Sequence, residues 1–254
     1  SNLTPTLDST FSVDTYAGNS STQTINNGID LAGEGGLVWI KHRDLDPSNH
    51  ILYDTERGAT HWLNSDNSNA EGDPNGTFII YNSDGFSVGN NASVNYDNYN
   101  LVSWTFRKAA GFFDIQTWTG NDQAGRTIPH NLGTAPGMIL AKRINDGDNW
   151  HVYHKGLGAT HPIVLNDNYA AEPITNRWND TEPTSTEFTV GTWPANGAGY
   201  DYVGYIFADN PSNQIKCGSY TGTGAPGNVV DLGFDPQFFL VKRTDSTTNS
   251  NWII

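Results

Sequence analysis

Residues 37–43 read LVWIKHR, and closely related stretches return later in the chain as MILAKR at 138–143 and FFLVKR at 238–243. Each stretch is a short apolar run that ends in a lysine and an arginine. An unbroken apolar run of this length is typical of a strand that is buried on both faces, as the inner strands of a layered β protein are. The sequence therefore predicts the same inner strand three times.

Other stretches recur in the same order and with nearly constant spacing, which is the signature of an internal repeat. The aromatic residues Tyr16, Trp118 and Tyr220 each lie in a short Thr/Ser-aromatic-x-Gly segment and are 102 residues apart. The further pairs are RGATH at 57–61 with LGATH at 157–161, GFSVG at 85–89 with EFTVG at 187–191, and LVSWTFR at 101–107 with YVGYIFA at 202–208.

These matches predict three units of about a hundred residues, of which the third is incomplete. The predicted boundaries are 1–109 for the first repeat, 110–210 for the second and 211–254 for the partial third. In the second repeat, Trp150 is followed by further strand-like segments that have no match after Trp252 in the third. We therefore expect the natural polypeptide to continue past Ile254.

The local patterns predict an all-β protein with one β-sandwich per repeat. In LVSWTFR, the apolar residues Val102, Trp104 and Phe106 alternate with polar ones, as they do in a strand with one buried face. Turn sequences rich in Gly, Asn and Asp separate such segments every 8–12 residues, which favours a sandwich. The remaining predicted strands are 50–55, 77–82, 112–118, 150–154, 162–166 and 213–221.

The composition makes several partners improbable. The formal net charge is −14, from 27 acidic and 13 basic residues, and binding to nucleic acid or to an anionic membrane needs clustered positive charge. No apolar run approaches the length of a membrane-spanning helix. Cys217 is the single cysteine, so no disulfide forms within the chain. We expect neither nucleic-acid binding nor membrane insertion.

The basic residues that end the three apolar runs are the first candidate site. One interpretation is a site for an anion or an acidic sugar. The other is a set of local surface ion pairs, because an aspartate follows closely in every repeat. The basic residues are Lys41, Arg43, Lys142, Arg143, Lys242 and Arg243, and the aspartates are Asp44, Asp146 and Asp245.

His61 and His161 end the repeated GATH segments and suggest either acid–base chemistry or a structural turn. Their neighbours differ between the repeats, whereas a catalytic histidine needs a fixed orienting partner. The structural interpretation is therefore favoured, and no zinc-ligand spacing accompanies either histidine. The oxygen-rich segments 65–73 and 145–149 offer ligands for Ca²⁺, although neither matches the twelve-residue calcium loop; ordinary polar turns are the alternative.

No catalytic arrangement is recognisable, and we expect a protein that is not an enzyme and needs no cofactor. The acidic residues Asp54, Glu56, Glu172 and Glu187 form no constellation that indicates glycoside hydrolysis. Trp178 and Trp193 lie in polar, loop-like segments and are candidates for stacking on the rings of a bound glycan. Burial as anchors of their turns is an equally good interpretation of both tryptophans.

The succession of motifs resembles the repeated modules of virion structural proteins of marine, cyanophage-like bacteriophages. The wording RTIPHNLGTAPGMILAKR at 126–143 and WHVYHKGLGATH at 150–161 carries the resemblance most clearly. It implies β-sandwich modules of the concanavalin-like or jelly-roll type, in tail-fibre or other appendage proteins on the surface of the extracellular particle. The partners expected are further copies of the chain or other virion proteins, and the alternative role is an adhesin that recognises host surface glycans.

Overall fold

The computed structural model describes residues 6–72, 78–248 and 250–254. About 35% of the chain is strand and about 4% is helix, which confirms the all-β fold class. The strands are β1 (Phe11–Ala17), β2 (Gln23–Asn26), β3 (Gly36–His42), β4 (Ile51–Asp54), β5 (Trp62–Asn64), β6 (Ile79–Asn82), β7 (Gly85–Val88), β8 (Asn100–Arg107), β9 (Phe113–Thr119), β10 (Arg126–Pro129), β11 (Pro136–Arg143), β12 (His151–His154), β13 (Ile163–Val164), β14 (Glu187–Val190) and β15 (Asp201–Ala208). The helical elements are α1 (Ala92–Asn95) and two 3-10 turns at Leu7–Ser9 and Pro211–Asn213.

The strands form four antiparallel sheets. The first repeat builds a five-stranded sheet in the order β1-β8-β3-β4-β5 and a three-stranded sheet in the order β2-β7-β6. The second repeat builds a five-stranded sheet in the order β9-β15-β11-β12-β13 and pairs β10 with β14. In both five-stranded sheets the last strand of the repeat lies between the first and the third, so the sheet is complete only when that strand is in place.

The two five-stranded sheets also share their register. Leu37 of β3 lies opposite Phe106 of β8, and Met138 of β11 lies opposite Phe207 of β15. The turn predicted at 73–76 lies outside the described residues, as does the start of the strand predicted at 77–82.

The inner strands are buried on both faces, as their unbroken apolar sequence predicts. In β3, Leu37 and Trp39 face a cluster that lies between the two five-stranded sheets, whereas Val38 and Ile40 face the three-stranded sheet. All four side chains are at most 1% exposed. Because successive side chains of a strand point to opposite faces, a strand between two apolar layers needs apolar residues at every position.

The four sheets are therefore four packed layers. The central cluster takes residues from both five-stranded sheets, and one outer cluster lies under each of the smaller sheets. The large shared cluster holds the first and second repeats together.

In β8, Phe106 lies in the central cluster and Trp104 packs against it, as predicted, but Ser103 and Thr105 on the other face are fully buried as well, so the prediction of a single buried face is wrong because β8 lies between two packed layers. In β15, Val203, Tyr205 and Phe207 all enter the central cluster.

The partial third repeat contributes to the same central cluster, but not as the predicted strands. Phe238, Leu240 and Trp252 pack against the cluster, whereas Phe239 is 56% exposed. A single bridge joins Val241 to Ile253. The prediction of a strand buried on both faces at 238–243 is wrong, as is the strand at 213–221. The physical reason lies in the missing partner strand. In the full repeats, β8 pairs with β1 and β3, and β15 pairs with β9 and β11. The described part of residues 211–254 does not include a counterpart of β8 or β15.

Candidate functional site at the junction of the repeats

A buried ion pair of the first repeat is hydrogen-bonded to the second repeat. Asp54 ends β4 and is fully buried, and its Oδ2 atom accepts a hydrogen bond of 2.6 Å from Nε of Arg57. The same oxygen accepts a hydrogen bond of 2.7 Å from the hydroxyl of Tyr205, which lies on β15 of the second repeat. Burial lowers the pKa of Arg57, but the Asp54 carboxylate and Tyr205 outweigh it and the net pKa is raised. The guanidinium therefore stays charged at the junction.

Among the further hydrogen bonds that cross the junction between the first and second repeats, three have counterparts at the next junction, and each of the three ends on a main-chain carbonyl. The tryptophan involved, Trp150, is fully buried. The bonds are Trp150 Nε1 to the Asn64 carbonyl (2.8 Å), the Glu71 N–H to the Ile144 carbonyl (2.8 Å) and Lys142 Nζ to the Ser68 carbonyl (3.4 Å).

The same three kinds of hydrogen bond join the second repeat to the partial third. Asn64 and Val164 are true counterparts, because they pair with Ile51 and His151 at equivalent places in β5 and β13. Each repeat therefore makes these three contacts to the preceding one in the same way. The bonds of this second junction are Trp252 Nε1 to the Val164 carbonyl (2.7 Å), the Ala171 N–H to the Thr244 carbonyl (2.8 Å) and Lys242 Nζ to the Asp167 carbonyl (3.2 Å).

A groove of about 440 Å³ runs along the junction on the surface. Glu56, His61 and Glu71 line it from the first repeat, and Thr119 and Asp201 line it from the second. The Thr119 hydroxyl donates to Asp201 at 2.6 Å. The groove therefore presents acidic and hydroxyl groups suited to hydrogen bonding.

The repeated GATH segments form matching turns. Gly58 has φ of +94° and Gly158 has φ of +73°, a left-handed conformation that glycine adopts without strain. Nδ1 of His61 lies 3.2 Å from the hydroxyl of Thr60, and the corresponding distance at His161 is 2.8 Å. The favoured interpretation of the two histidines as parts of a structural turn agrees with this geometry.

The lysines of the three basic pairs all bind main-chain carbonyls. Lys41 donates to the Ser48 carbonyl at 2.8 Å, and Lys242 donates to that of Ser250 at 2.6 Å. Lys142 is fully buried, and burial lowers the pKa of its ammonium to about 8. Main-chain carbonyls therefore engage all three ammonium groups.

The arginines are less uniform than their spacing suggests. Arg143 lies 3.6 Å from Asp146, and Arg243 lies 2.8 Å from Asp245, as local ion pairs require. The first repeat departs from the pattern, since Asp44 accepts hydrogen bonds from the main-chain N–H and the side-chain amide of Asn100. A local ion pair is thus present in two of the three repeats, but the prediction of a surface pair is correct only for Arg243, because Arg143 is buried.

The candidate acidic residues do not converge on one site. Asp54 pairs with Arg57 and Glu56 with Lys108, while Glu172 is exposed and Glu187 begins β14. In the segment 65–73 proposed for Ca²⁺, Asp66 accepts from the His50 N–H at 3.3 Å, and Asp73 lies outside the described residues. Among the residues described, no group of three or more His, Cys, Asp or Glu side chains is placed to hold a metal ion.

Only one of the two candidate tryptophans is available to a glycan. Trp178 is 1% exposed and packs against Tyr153 and Phe188. The prediction that it stacks on a glycan at the surface is therefore wrong, and the alternative, that it is the buried anchor of its turn, is correct. Trp193 is 46% exposed. The guanidinium carbon of Arg143 lies 4.4 Å from the centre of the Trp193 ring, a cation–π contact.

A family model described as a domain of unknown function, DUF7483, matches residues 8–254. The chain belongs to the DUF7483 family. Comparison with curated proteins and with solved structures gives no match. The DUF7483 match includes both five-stranded sheets and the C-terminal segment that packs against them. Within the part of the chain that the structure describes, no helix is long and apolar enough to cross a lipid bilayer.

Sequence reasoning missed the residues that join the repeats of this DUF7483 chain. Arg57 of the first repeat corresponds to Leu157 of the second, and Tyr205 of the second repeat corresponds to Trp104 of the first. The two repeats therefore differ in sequence where they meet. Such differences between internal repeats are a usable signal for an asymmetric contact. The main-chain acceptor at Asn64 has no side-chain signal and is found only in the structure.

Proposed function

We propose that this DUF7483 protein is a non-enzymatic structural component of a virion, a fibre, spike or surface appendage. It is built from tandem β-sandwich modules of the concanavalin-like or jelly-roll type, with the boundaries predicted from the sequence. Its partners are further copies of itself or other virion proteins, and it acts on the surface of the extracellular particle.

The use of the same contact at both junctions is the observation that carries this proposal. Trp150 and Trp252 each donate to a carbonyl of the preceding repeat, at 2.8 and 2.7 Å. A contact in which a side chain of one module binds a different residue of the preceding module is heterologous, and contacts of this kind build larger objects from a single kind of unit. Stability then comes from packing between modules rather than from disulfides, which suits an appendage with one cysteine.

The contacts made by the motifs that recur between the repeats also support a structural role. The GATH segments form turns, and the lysines of the basic pairs bind carbonyls at loops and junctions. The resemblance to modules of marine bacteriophage virion proteins indicates that the particle is a bacteriophage. The net charge of −14 suits a particle dispersed in salt water.

Immuno-electron microscopy of the particle whose genome encodes this chain tests the proposal. Antibodies against residues 6–254 are expected to label an appendage of intact particles, and pre-absorption with the purified chain is the control. Label that is confined to the unassembled material of infected cells contradicts a virion role.

A second function, binding of host glycans, is favoured by Trp193. An indole that is half exposed and is held from one side by Arg143 offers its free ring to a sugar. A glycan array probed with the wild type and with Trp193→Ala tests this role, with Tyr169→Ala as a matched control because Tyr169 is 53% exposed elsewhere. Binding that survives Trp193→Ala removes this residue from the glycan site.

A further inference from the structure

The loop before the last strand is held in the same way in the two full repeats. It precedes β8 in the first repeat and β15 in the second. The Gly18 N–H donates to the Tyr99 carbonyl of this loop at 2.8 Å. In the second repeat, the Gly120 N–H donates to the Tyr200 carbonyl at 2.7 Å. Tyr99 and Tyr200 are therefore counterparts.

Three residues before each of these tyrosines, the two loops carry different side chains. A Cβ atom on Gly18 would lie 2.0 Å from the carbonyl oxygen of Tyr96. A Cβ atom on Gly120 would lie equally close, at 2.0 Å, to the carbonyl oxygen of Gly197. Tyr96 and Gly197 therefore occupy the same place in the two loops, but only the first repeat has a ring at this position of the sequence.

An exposed aromatic ring nevertheless packs on the tyrosine in both repeats. Tyr96 is 43% exposed and stacks on Tyr99 at a centroid distance of 5.1 Å. Trp193 is 46% exposed and packs edge-on against Tyr200 at 5.7 Å. A Cβ atom on Gly197 would lie only 3.0 Å from Cε3 of Trp193, so the indole fills the space that a side chain at this position would need. The second repeat thus places a ring, from another position of its sequence, where the first repeat has Tyr96.

A buried basic side chain supports the tyrosine in each repeat. His42 and Arg143 are counterparts, because they end β3 and β11 at equivalent places opposite β8 and β15. Tyr99 packs edge-on against His42 at 6.0 Å, and the guanidinium of Arg143 lies 4.3 Å from the centre of the Tyr200 ring. Both basic side chains are buried. They therefore hold the rings in place and offer little charge to a ligand at the surface.

The residue after each tyrosine belongs to a carboxylate–amide pair, and the two groups exchange positions between the repeats. Asn100 donates its main-chain N–H to the Asp44 carboxylate at 2.9 Å. In the second repeat, Asp201 donates its main-chain N–H to the side-chain oxygen of Asn145 at 3.0 Å. Each loop therefore has one carboxylate and one amide beside its aromatic pair, and both groups form hydrogen bonds with hydroxyls.

We propose that each full repeat carries a binding site for a neutral saccharide. Tyr96 and Tyr99 form the site of the first repeat, and Trp193 and Tyr200 form that of the second. A half-exposed ring packs against the apolar face of a sugar, while a few polar groups fix its orientation. The carboxylate of each pair disfavours an acidic sugar, because like charges repel. This inference rests on the second proposed function, glycan binding, and adds to it a site in the first repeat.

Nuclear magnetic resonance of the full chain tests the proposal with named probes. Cellohexaose, maltohexaose and mannohexaose are the neutral saccharides, and hexagalacturonate is the acidic control. We expect millimolar concentrations of at least one neutral hexasaccharide to shift the amide resonances of residues 96–99 and the indole N–H resonance of Trp193. Hexagalacturonate is expected to shift neither group.

Single variants separate the two sites. Tyr96→Ala is expected to abolish the shifts at residues 97–99 and to leave those at Trp193, and Trp193→Ala is expected to do the reverse at residues 197–200. Tyr169→Ala is the matched control, because Tyr169 is 53% exposed outside both loops, and it is expected to leave both sets of shifts unchanged. The remaining resonances of each variant show whether the sheets stay packed.

Shifts at Trp193 alone, unaffected by Tyr96→Ala, overturn the inference of a site in each repeat and leave the second proposed function standing. A response to hexagalacturonate alone overturns the neutral ligand. If no neutral hexasaccharide shifts either loop, both the inference and the role of Trp193 in glycan binding fail. The structural role in a virion is judged separately, by the labelling of particles.

Discussion

The indole N–H of Trp150 donates to the main-chain carbonyl of Asn64 at 2.8 Å, across the junction of two repeats. Trp150 is fully buried and its ring stacks on Tyr205 at a centroid distance of 5.8 Å. One side chain thus fills the shared cluster and satisfies a carbonyl of the neighbouring repeat. The counterpart Trp252 repeats the hydrogen bond with Val164 at the next junction.

Replacing Trp150 by phenylalanine is expected to destabilise the protein by about 2–3 kcal/mol. The change leaves the Asn64 carbonyl without its partner and opens a small cavity, and both effects cost free energy. Urea unfolding measures the loss. Trp252→Phe is the matched control, since it is expected to release only residues 238–254, seen as faster hydrogen exchange with little change in the unfolding midpoint.

Replacing Arg57 by leucine is expected to cost about 3–5 kcal/mol, because the change leaves the buried carboxylate of Asp54 without its cation. Thermal and urea unfolding measure the effect. The second repeat supplies a compensating change, since it has His154 and Leu157 at these positions.

The double variant Asp54→His with Arg57→Leu is therefore expected to recover more than half of the stability lost in Arg57→Leu. A double variant that is as unstable as the single one would show that the loss does not arise from an unpaired carboxylate.

The buried ammonium of Lys142 is expected to make stability rise with pH. Its folded pKa is about 8, lowered mainly by burial from an ordinary value of 10.5. Between these values the unfolded chain binds more protons than the folded one, so the free energy of unfolding increases as pH rises. Relative to Lys142→Met, the wild type is expected to gain about 2 kcal/mol between pH 7 and pH 10. A difference that does not change with pH contradicts this assignment.

Trp178 and Trp193, the two tryptophans that the sequence suggests as glycan contacts, are expected to behave oppositely. Trp178→Ala removes a fully packed indole and is expected to lower stability by about 3–5 kcal/mol. Trp193→Ala removes a half-exposed ring and its contact with Arg143, which is worth about 1 kcal/mol. Chemical unfolding of the two variants side by side checks the contrast, and equal losses contradict it.

The sequence predicts much of the fold because the strand patterns are local. The unbroken apolar run at 37–43 predicts burial on both faces. The alternation at 101–107 predicts that Trp104 and Phe106 share a face, but it does not predict that Ser103 and Thr105 on the opposite face are buried too. The sequence cannot predict that the five-stranded sheets face each other. That arrangement depends on contacts between distant segments, such as Arg57 with Tyr205. It also depends on the main-chain carbonyl of Asn64, an acceptor that no side-chain pattern in the sequence reveals.

The candidate site was predicted less well for a related physical reason. Polar neighbours suggest exposure, yet the polar segment around Trp178 folds over an apolar cluster and buries the indole. The segment 238–243 shows the opposite error, since apolar residues alone do not make an inner strand. A strand also needs a neighbour for its main-chain groups.

Differential scanning calorimetry of the wild type and of Trp150→Phe tests most directly whether the repeats form one unit around a shared cluster. Each five-stranded sheet has one face in that cluster, so neither repeat is expected to stay folded without the other. We predict a single unfolding transition in which the calorimetric and van't Hoff enthalpies agree, and Trp150→Phe shifts it as a whole to lower temperature. Two resolved transitions, with only one shifted by the substitution, would contradict the account.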